Sequence, residues 1–576
     1  MAAAAPRGAP GTCRRAAGVI ALAALPVVLA TLLIGARGVA ALRSTSDFLV
    51  ASRRISPTLN AAAVSGEYLS AASFLGVAGL VVKNGVGALW YPVGFTAGYL
   101  AMLLFVAAPM RRTGALTVPD FAEARLGSPA LRRFCAVVVL VIAGLYLVPQ
   151  FTAAGQVLMA VSGLPYWVGV VVSGAAVSVT LALGGMRAAT YVQAFQFVLK
   201  LVLFIVPAVW LMTAVGPETR HEALHPAEFT RFTADTPVEF RLPTRIEVSA
   251  PMTVVADTDT GPVPVHLEPG PFVVPGQARW VFPAGADVPR IRGAALPGSD
   301  DWQRPLLDSD RSGHSLLATW SVLVATALGT MGLPHVIVRF HTSPDGRAAR
   351  RTAAITVGLL GTFYLFTWVY GLLGGVLMPE LYLSGATDTA VVELPGRVED
   401  GTAGQVFTGL LTAGAFAAFL ATSLGLLLAL AGAVAHDLLP GSLRRLRITA
   451  LVAAAVVVPI ALLAAQVDVG AVVTSAFAVA ASTFCPLLVL GIWWRRLTVR
   501  GAFVGMGVGL AASAGVMAAS LLIRPAPGVT ALLLGQPALW SVPLAFLTMV
   551  LVSLRDRPPP GAESAMLRLH LDETRA

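Results

Sequence analysis

From Leu59 to Val82 the chain is almost entirely apolar or small, but its middle reads Ser65-Gly66-Glu67-Tyr68-Leu69-Ser70-Ala71-Ala72-Ser73. One acid, two glycines (Gly66, Gly76) and three serines stand where a membrane helix is ordinarily bland. A carboxylate at the bilayer centre costs at least about 2.5 kcal/mol on insertion scales, so it faces a cavity, a charged partner or an ion pathway. Glycine beside polar residues lets the helix unwind and offer its carbonyls to a ligand. The segment therefore reads as a discontinuous membrane helix, and a transporter is the first expectation.

The rest of the chain agrees with a membrane setting. Of 576 residues, 56% are hydrophobic and only 12% charged, against about 25% charged in soluble domains. Apolar stretches of bilayer-spanning length recur about thirteen times, near 17–41, 58–82, 87–110, 133–161, 164–184, 191–215, 315–340, 352–378, 404–436, 447–466, 469–494, 501–523 and 532–554. The fold class expected is an all-α polytopic membrane protein. The net charge of +10 does not indicate nucleic acid, because the arginines gather in alternate loops: Arg43, Arg53 and Arg54; Arg111, Arg112, Arg125, Arg132 and Arg133; Arg187; Arg339, Arg347, Arg350 and Arg351; Arg444, Arg445 and Arg447; Arg495, Arg496 and Arg500; Arg555 and Arg557. Positive loops stay cytoplasmic. That places the protein in the plasma membrane with its N-terminus outside and its C-terminus in the cytoplasm. Arg7, Arg14 and Arg15 run against this, and a cleaved signal peptide is the rival reading of residues 1–40. Three scattered cysteines (Cys13, Cys135, Cys485) build no disulfide framework or metal site. No phosphate-binding glycine loop is present, so no ATP-driven machinery is expected.

Residues 216–314 break the pattern. They hold 14 of the 30 acids, 9 of the 40 lysines and arginines, and 14 of the 39 prolines. Alternating runs such as Glu239-Phe240-Arg241-Leu242, Arg245-Ile246-Glu247-Val248, Pro262-Val263-Pro264-Val265 and Phe272-Val273-Val274 resemble short strands with proline-marked edges. A small β-rich extracytoplasmic module and an irregular loop are both consistent with this.

A second apolar span, from Ser315, contains Gly329-Thr330-Met331-Gly332-Leu333-Pro334-His335. Pro334 lacks a backbone donor and clashes with the preceding turn, so this helix must also kink or break. Paired interruptions in corresponding positions point to an inverted-repeat transporter. Five spans (58–215) would correspond to the next five (315–494). The expected organisation is an extra N-terminal helix (1–45), a first core repeat (46–215), the insert (216–314), a second core repeat (315–496), extra C-terminal helices (497–556) and a cytoplasmic tail (557–576).

At these residues the chain resembles the sodium:solute symporter family, most closely its cation/acetate (monocarboxylate) symporters. The matching stretches are Ser46-Asp47-Phe48-Leu49-Val50-Ala51, Gly66 to Gly76, Gly332-Leu333-Pro334-His335 through Arg339-Phe340, Ser343-Pro344-Asp345, Ala433-Val434-Ala435-His436-Asp437-Leu438, Leu497 to Ala502, and Pro537-Ala538-Leu539-Trp540-Ser541. They run in order from about residue 46 to 550. Glu67 stands where an aspartate is expected, and the insert is longer than usual. The first leaves the coupling ion open, and an extracytoplasmic partner for the insert is one consequence of the second.

The resemblance implies a leucine-transporter-type 5+5 core with a sodium ion between the first broken helix and the eighth core helix. A hard cation takes oxygen ligands. The carbonyls of Ala63, Gly66 and Leu69 and the hydroxyls of Thr422 and Ser423 would supply them. For the two hydroxyls, a back-bond within their own helix is the competing account. An anionic substrate would meet the helix amides at the two breaks, lined by Tyr68, Ser70, Ser73, Thr330 and Met331. Glu67 has two readings: a proton-carrying or ion-attracting carboxylate in the cavity, or an acid bonded to freed backbone amides. Gln193, Gln196 and Lys200 share one helix face, as do Tyr146 and Gln150. Lys200 needs a partner or water in the membrane, and a substrate carboxylate, an acid or the interface would each serve. His335 reads as a packed helix-start histidine.

The expected function is secondary symport. Inward flow of Na+ (or H+) would drive uptake of a small monocarboxylate such as acetate by alternating access, with no cofactor and no enzymatic chemistry. A monoanion entering with one cation is electroneutral, so a tenfold gradient, about 1.4 kcal/mol, supports about tenfold accumulation. More would need a second cation or a protonated substrate. The same class carrying proline or another small solute is one rival. A membrane sensor built on a transporter core is another, and a passive channel is disfavoured because nothing resembles a repeated filter.

Overall fold

The computed structural model describes residues 10–37, 44–224, 231–241, 243–258, 261–291, 300–307, 314–439, 441–465, 469–523, 528–557 and 561–571. Arg7, Arg43, Leu242 and Arg524 lie outside them. Among the described residues, apolar composition over runs of 18 residues or more gives ten helices able to cross a bilayer, or eleven with one bent pair counted as a span. Two features account for the difference from the thirteen expected. The helix Tyr166–Ala214 covers two of the apolar stretches in 49 residues, or ~74 Å at 1.5 Å per residue, far beyond the ~30 Å hydrocarbon core. It is interrupted at Gly185, whose φ of 55° and ψ of −150° are not helical and are open to glycine alone without strain. Among the described residues the N-terminal helix Pro10–Arg37 gives the shorter apolar stretch Ala23–Arg37.

The first broken helix runs Pro57–Tyr68, leaves helical geometry at Leu69 (φ −70°, ψ 79°), resumes as a π turn at Ala72–Gly76 and continues as Val77–Asn84. Its two halves meet at 67°. The second runs Ser315–Gly332, is extended at Leu333, and restarts as Pro334–His341 with the proline in its first turn. There proline's missing N–H costs nothing and its fixed φ suits the helix. The first break is packed against the long helix and against Thr402–Gly432, which is buried along most of its length, and Pro334–His341 after the second break also packs on Thr402–Gly432.

The described residues of the insert carry seven short strands. β1 (Thr236–Glu239), β3 (Met252–Thr258), β4 (Gly261–Leu267) and β6 (Arg279–Phe282) form one sheet in the order β1-β6-β3-β4. β2 (Thr244–Val248), β5 (Gly270–Val274) and β7 (Arg290–Ile291) form a second, in the order β5-β2-β7. All pairs are antiparallel. In β3, Met252, Val254 and Ala256 are buried while Thr253 and Val255 are exposed, the period-2 signature of a sheet with one covered face. The sheets enclose Phe240, Ile246, Val254, Trp280 and Phe282, together with Tyr382 and Leu383 from the helix Pro379–Ser384. The chain then returns to the helical body. Trp302 is buried and donates from Nε1 to the Val82 carbonyl at the end of the first broken helix, 3.1 Å away.

Charge counting along the sequence misplaces two arginines. Arg339 and Arg125, read as loop charges, are 1% and 6% exposed. Arg125 donates from Nε to the Gly491 carbonyl at 2.8 Å. Arg339 belongs to the site. A positive-inside count registers position along the chain but not depth, so it cannot separate a loop arginine from one paired inside the protein.

Candidate functional site

Unwinding a buried helix frees backbone groups that must find partners within the protein, because lipid offers none. At the first break some pair within the turn, as the Ser70 amide does with the Tyr68 carbonyl at 2.8 Å, and others are met by side chains from other helices. Lys200, on the long helix, donates from Nζ to the Leu69 carbonyl at 2.7 Å and to the Gly66 carbonyl. Thr422 Oγ1 donates to the Glu67 carbonyl at 2.5 Å. On the other side of the break, the Ala71 amide donates to Gln150 Oε1 at 3.0 Å. Glycine is required at Gly66, since a Cβ there would lie 2.2 Å from the Gln193 carbonyl oxygen.

The side chains of this turn reach to the second broken helix and its neighbours. Tyr68 and Thr330 share a hydrogen bond at 2.6 Å across the two breaks. The Tyr68 ring stands edge-on to Tyr99 at 4.6 Å. Ser70 Oγ accepts from Tyr146 at 3.0 Å. Ser73 Oγ pairs with Tyr364 at 2.9 Å. Met331 is buried beside Thr330. The five residues expected to line a substrate pocket are thus gathered at the breaks, with the four hydroxyls among them bonded to protein.

Glu67 pairs with Arg339, Oε2 to Nε 2.6 Å, with both side chains 1% exposed. Arg339 also donates to Thr190 Oγ1 at 2.9 Å and to Gln193 Oε1. Gln193 in turn donates to the Ala421 carbonyl at 2.7 Å. A carboxylate and a guanidinium from the two broken helices are therefore locked to the long helix and to Thr402–Gly432. The second carboxylate oxygen, Oε1, has no protein partner among the described residues. It fits where Gly425 has no side chain: a Cβ there would lie 1.8 Å from it.

A cavity adjoins this pair. It is lined by Glu67, Arg339, His335, Leu49, Thr117 and Asp437, among others, and has about 20 Å³ of space for water, enough for about one molecule. Its far end lies at the arginine-rich side. There Asp437 accepts from Thr117 at 2.9 Å and from Arg132 at 3.0 Å, and Arg132 also pairs with Glu123 at 2.9 Å. Glu67 Oε1, both nitrogens of His335 and Asp437 Oδ2 lack protein partners among the described residues and border this space. Orphaned buried polar atoms of this kind point to water or a ligand.

Of the residues expected around the cation, Gly66 and Leu69 present their carbonyls to Lys200 rather than to open space. Thr422 bonds the carbonyl of Glu67. Ser423 Oγ is buried without a protein partner among the described residues. Ala63 sits one turn earlier in the same helix. Gln196 is not in the site: it donates to Thr31 Oγ1 of the N-terminal helix at 2.8 Å. Sequence reasoning assigned no role to Arg339, Thr190 or Asp437. For Arg339 the available signal was a single charge five residues after the proline of a broken span.

Two discontinuous membrane helices, joined at their breaks by a hydrogen bond and an ion pair, define a secondary transporter of the broken-helix type. The model of the sodium:solute symporter family matches residues 48–254 and 307–509, more than half of the chain, and the protein belongs to that family. Na+-coupled transport of a solute is the activity of this class. The fold is similar to that of a Na+-coupled sialic acid symporter in a substrate-bound, outward-open state, with a TM-score of 0.66 at 12% identity over 94% of this chain and 98% of that one. Mhp1, a nucleobase-cation-symport-1 family transporter in a closed conformation with bromovinylhydantoin bound, gives a TM-score of 0.48 at 14% identity over 91% of this chain and 99% of that one.

Proposed function

We propose that the protein imports a small monocarboxylate such as acetate by alternating access, with the substrate held between the two breaks. The observation that carries this reading is the junction of the broken helices, where Tyr68 meets Thr330 and Glu67 meets Arg339. A group that enters there contacts both halves of the core at once, as a symported substrate must. The surrounding hydroxyls of Ser70 and Ser73 and the buried cations Arg339 and Lys200 suit a short anion. The rings of Tyr99, Tyr146 and Tyr364 around them leave little room for a sugar. The coupling cation, sodium in this family, would use Ala63, Thr422 and Ser423 beside the first break.

The topology that accompanies this reading is thirteen spans: the eleven apolar spans, one more from dividing Tyr166–Ala214 at Gly185, and the N-terminal helix. The core would be a 5+5 inverted repeat, 46–215 and 315–496, with the N-terminus outside, the C-terminus cytoplasmic and the insert extracytoplasmic.

The test is uptake of labelled acetate into proteoliposomes, with sodium and proton gradients imposed separately and protein-free liposomes subtracted. Uptake that requires sodium and is lost in Thr422→Ala supports the cation assignment. Absence of transport for any short acid refutes the monocarboxylate reading and returns proline and other small solutes to consideration.

A further inference from the structure

Lys200 is 0% exposed, and its ammonium is held by two carbonyls of the unwound turn, Gly66 and Leu69. Bare carbonyl oxygens at a helix break are the ligands a monovalent metal ion would use. Here the chain supplies its own cation to them, on a side chain. The difference from a metal ion is chemical: an ammonium loses its charge by releasing one proton, while a guanidinium keeps its charge.

The charges around it can be counted. Glu67 acts on Lys200 from the first broken helix, and Glu67 is itself ion-paired with Arg339. The Thr402–Gly432 helix contains no charged residue. On the long helix itself the other charge is Arg187, more than three turns away along the sequence. The N-terminal helix carries Arg14, Arg15 and Arg37 near its ends. Across from Phe204, one turn beyond Lys200, Tyr370 is committed to a backbone carbonyl. The buried cluster is thus Lys200, Arg339 and Glu67, two cations to one anion. An uncompensated buried charge is unfavourable. It is removed when Lys200 gives up its proton, and equally when one carboxylate anion enters with the proton kept. The anion therefore favours the protonated lysine and the protonated lysine favours the anion, by reciprocal linkage.

We propose that Lys200 carries a coupling proton. Its protonation on one side of the membrane accompanies binding of the monocarboxylate, and both are released together on the other. The bond made and broken is a single N–H on Nζ. Sodium at Thr422 and Ser423 is neither required nor forbidden by this step. The proposal rests on the monocarboxylate reading above, and the test separates the two.

The full-length protein in proteoliposomes, with sodium equal on both sides, is assayed for labelled acetate in two ways: exchange against unlabelled acetate at equal pH, and net uptake driven by an inward proton gradient, each corrected with protein-free liposomes. Exchange reads the substrate alone. Wild type is expected to do both. Lys200→Arg, permanently charged, is expected to lose net uptake about tenfold more than it loses exchange. Lys200→Met, a second variant of similar length, is expected to show exchange that no longer varies with pH, whereas wild-type exchange follows protonation. Exchange in wild type combined with full proton-driven uptake in Lys200→Arg overturns the role of Lys200 and leaves the substrate reading intact. So does a Lys200→Met pH profile identical to wild type. Absence of exchange in wild type overturns both readings.

Discussion

The two broken helices solve one problem in opposite ways. The second break is built into the covalent chain. Pro334 has no amide to satisfy, and it starts a new helix in the place that tolerates it best. The first break contains no proline. Its carbonyls are held by Lys200 and Thr422 and its amide by Gln150, residues 79 to 355 positions away in sequence. One discontinuity is intrinsic, and the other exists only while distant side chains hold it open. A ligand that competes for those side chains acts on the first break. The second provides a fixed surface against which that change is read.

The largest effect is expected where the two breaks are tied together. Arg339→Met leaves Glu67 as an unpaired buried carboxylate and is expected to cost about 3–5 kcal/mol, read as thermal unfolding in detergent. Glu67→Gln added to it is expected to recover part of the loss. If the double variant is no more stable than the single one, the pair does not act as a unit. Gly425→Ala comes next. Its Cβ would fall 1.8 Å from Glu67 Oε1, so the carboxylate must move off Arg339, at about 1–3 kcal/mol of overpacking and at least tenfold in transport. Retention of full transport would show that the carboxylate is not position-sensitive. Gln150→Leu orphans the Ala71 amide and belongs at the lower end of about 1–3 kcal/mol. Hydrogen exchange at Ala71 is expected to rise with it, and unchanged protection would mean that the first break does not depend on that partner. The smallest effect is expected for Pro334→Ala, under about 1 kcal/mol, because the break there is supported by its own geometry. A larger cost than that of Gln150→Leu would reverse the comparison.

Both breaks were legible in the sequence for the same reason: polar and helix-breaking residues stand out against an apolar run. What holds them was much less so. Lys200 declared itself as a membrane lysine in need of a partner, but carbonyls 131 and 134 residues distant leave no local pattern. Arg339 was counted with the loop charges because it lies seven residues before the next helix begins at Gly346, and only its depth sets it apart. Gln196 shares a helix face with Lys200, yet the N-terminal helix takes it, since a shared face does not fix which neighbour covers each turn. In the insert, the runs Arg245–Val248, Pro262–Val265 and Phe272–Val274 lie within β2, β4 and β5, because alternation records one-sided burial directly. That Tyr382 and Leu383 complete the core of the sheets could not be read from the strands themselves.

Trp302 gives the insert a mechanical meaning. Its ring is buried, its indole N–H is bonded to Val82, and glycine at position 375 leaves the ring its room: a Cβ there would come within 2.9 Å of it. Among the described residues the insert is fastened through Tyr382 to the helix Pro379–Ser384 and through Trp302 to the end of the first broken helix. Force applied to the sheets, by an antibody or a neighbouring protein, would be delivered to the helix whose unwound turn forms the site. The insert is in this sense a handle on the transport cycle, and a tag or fusion placed in it would not be a neutral label.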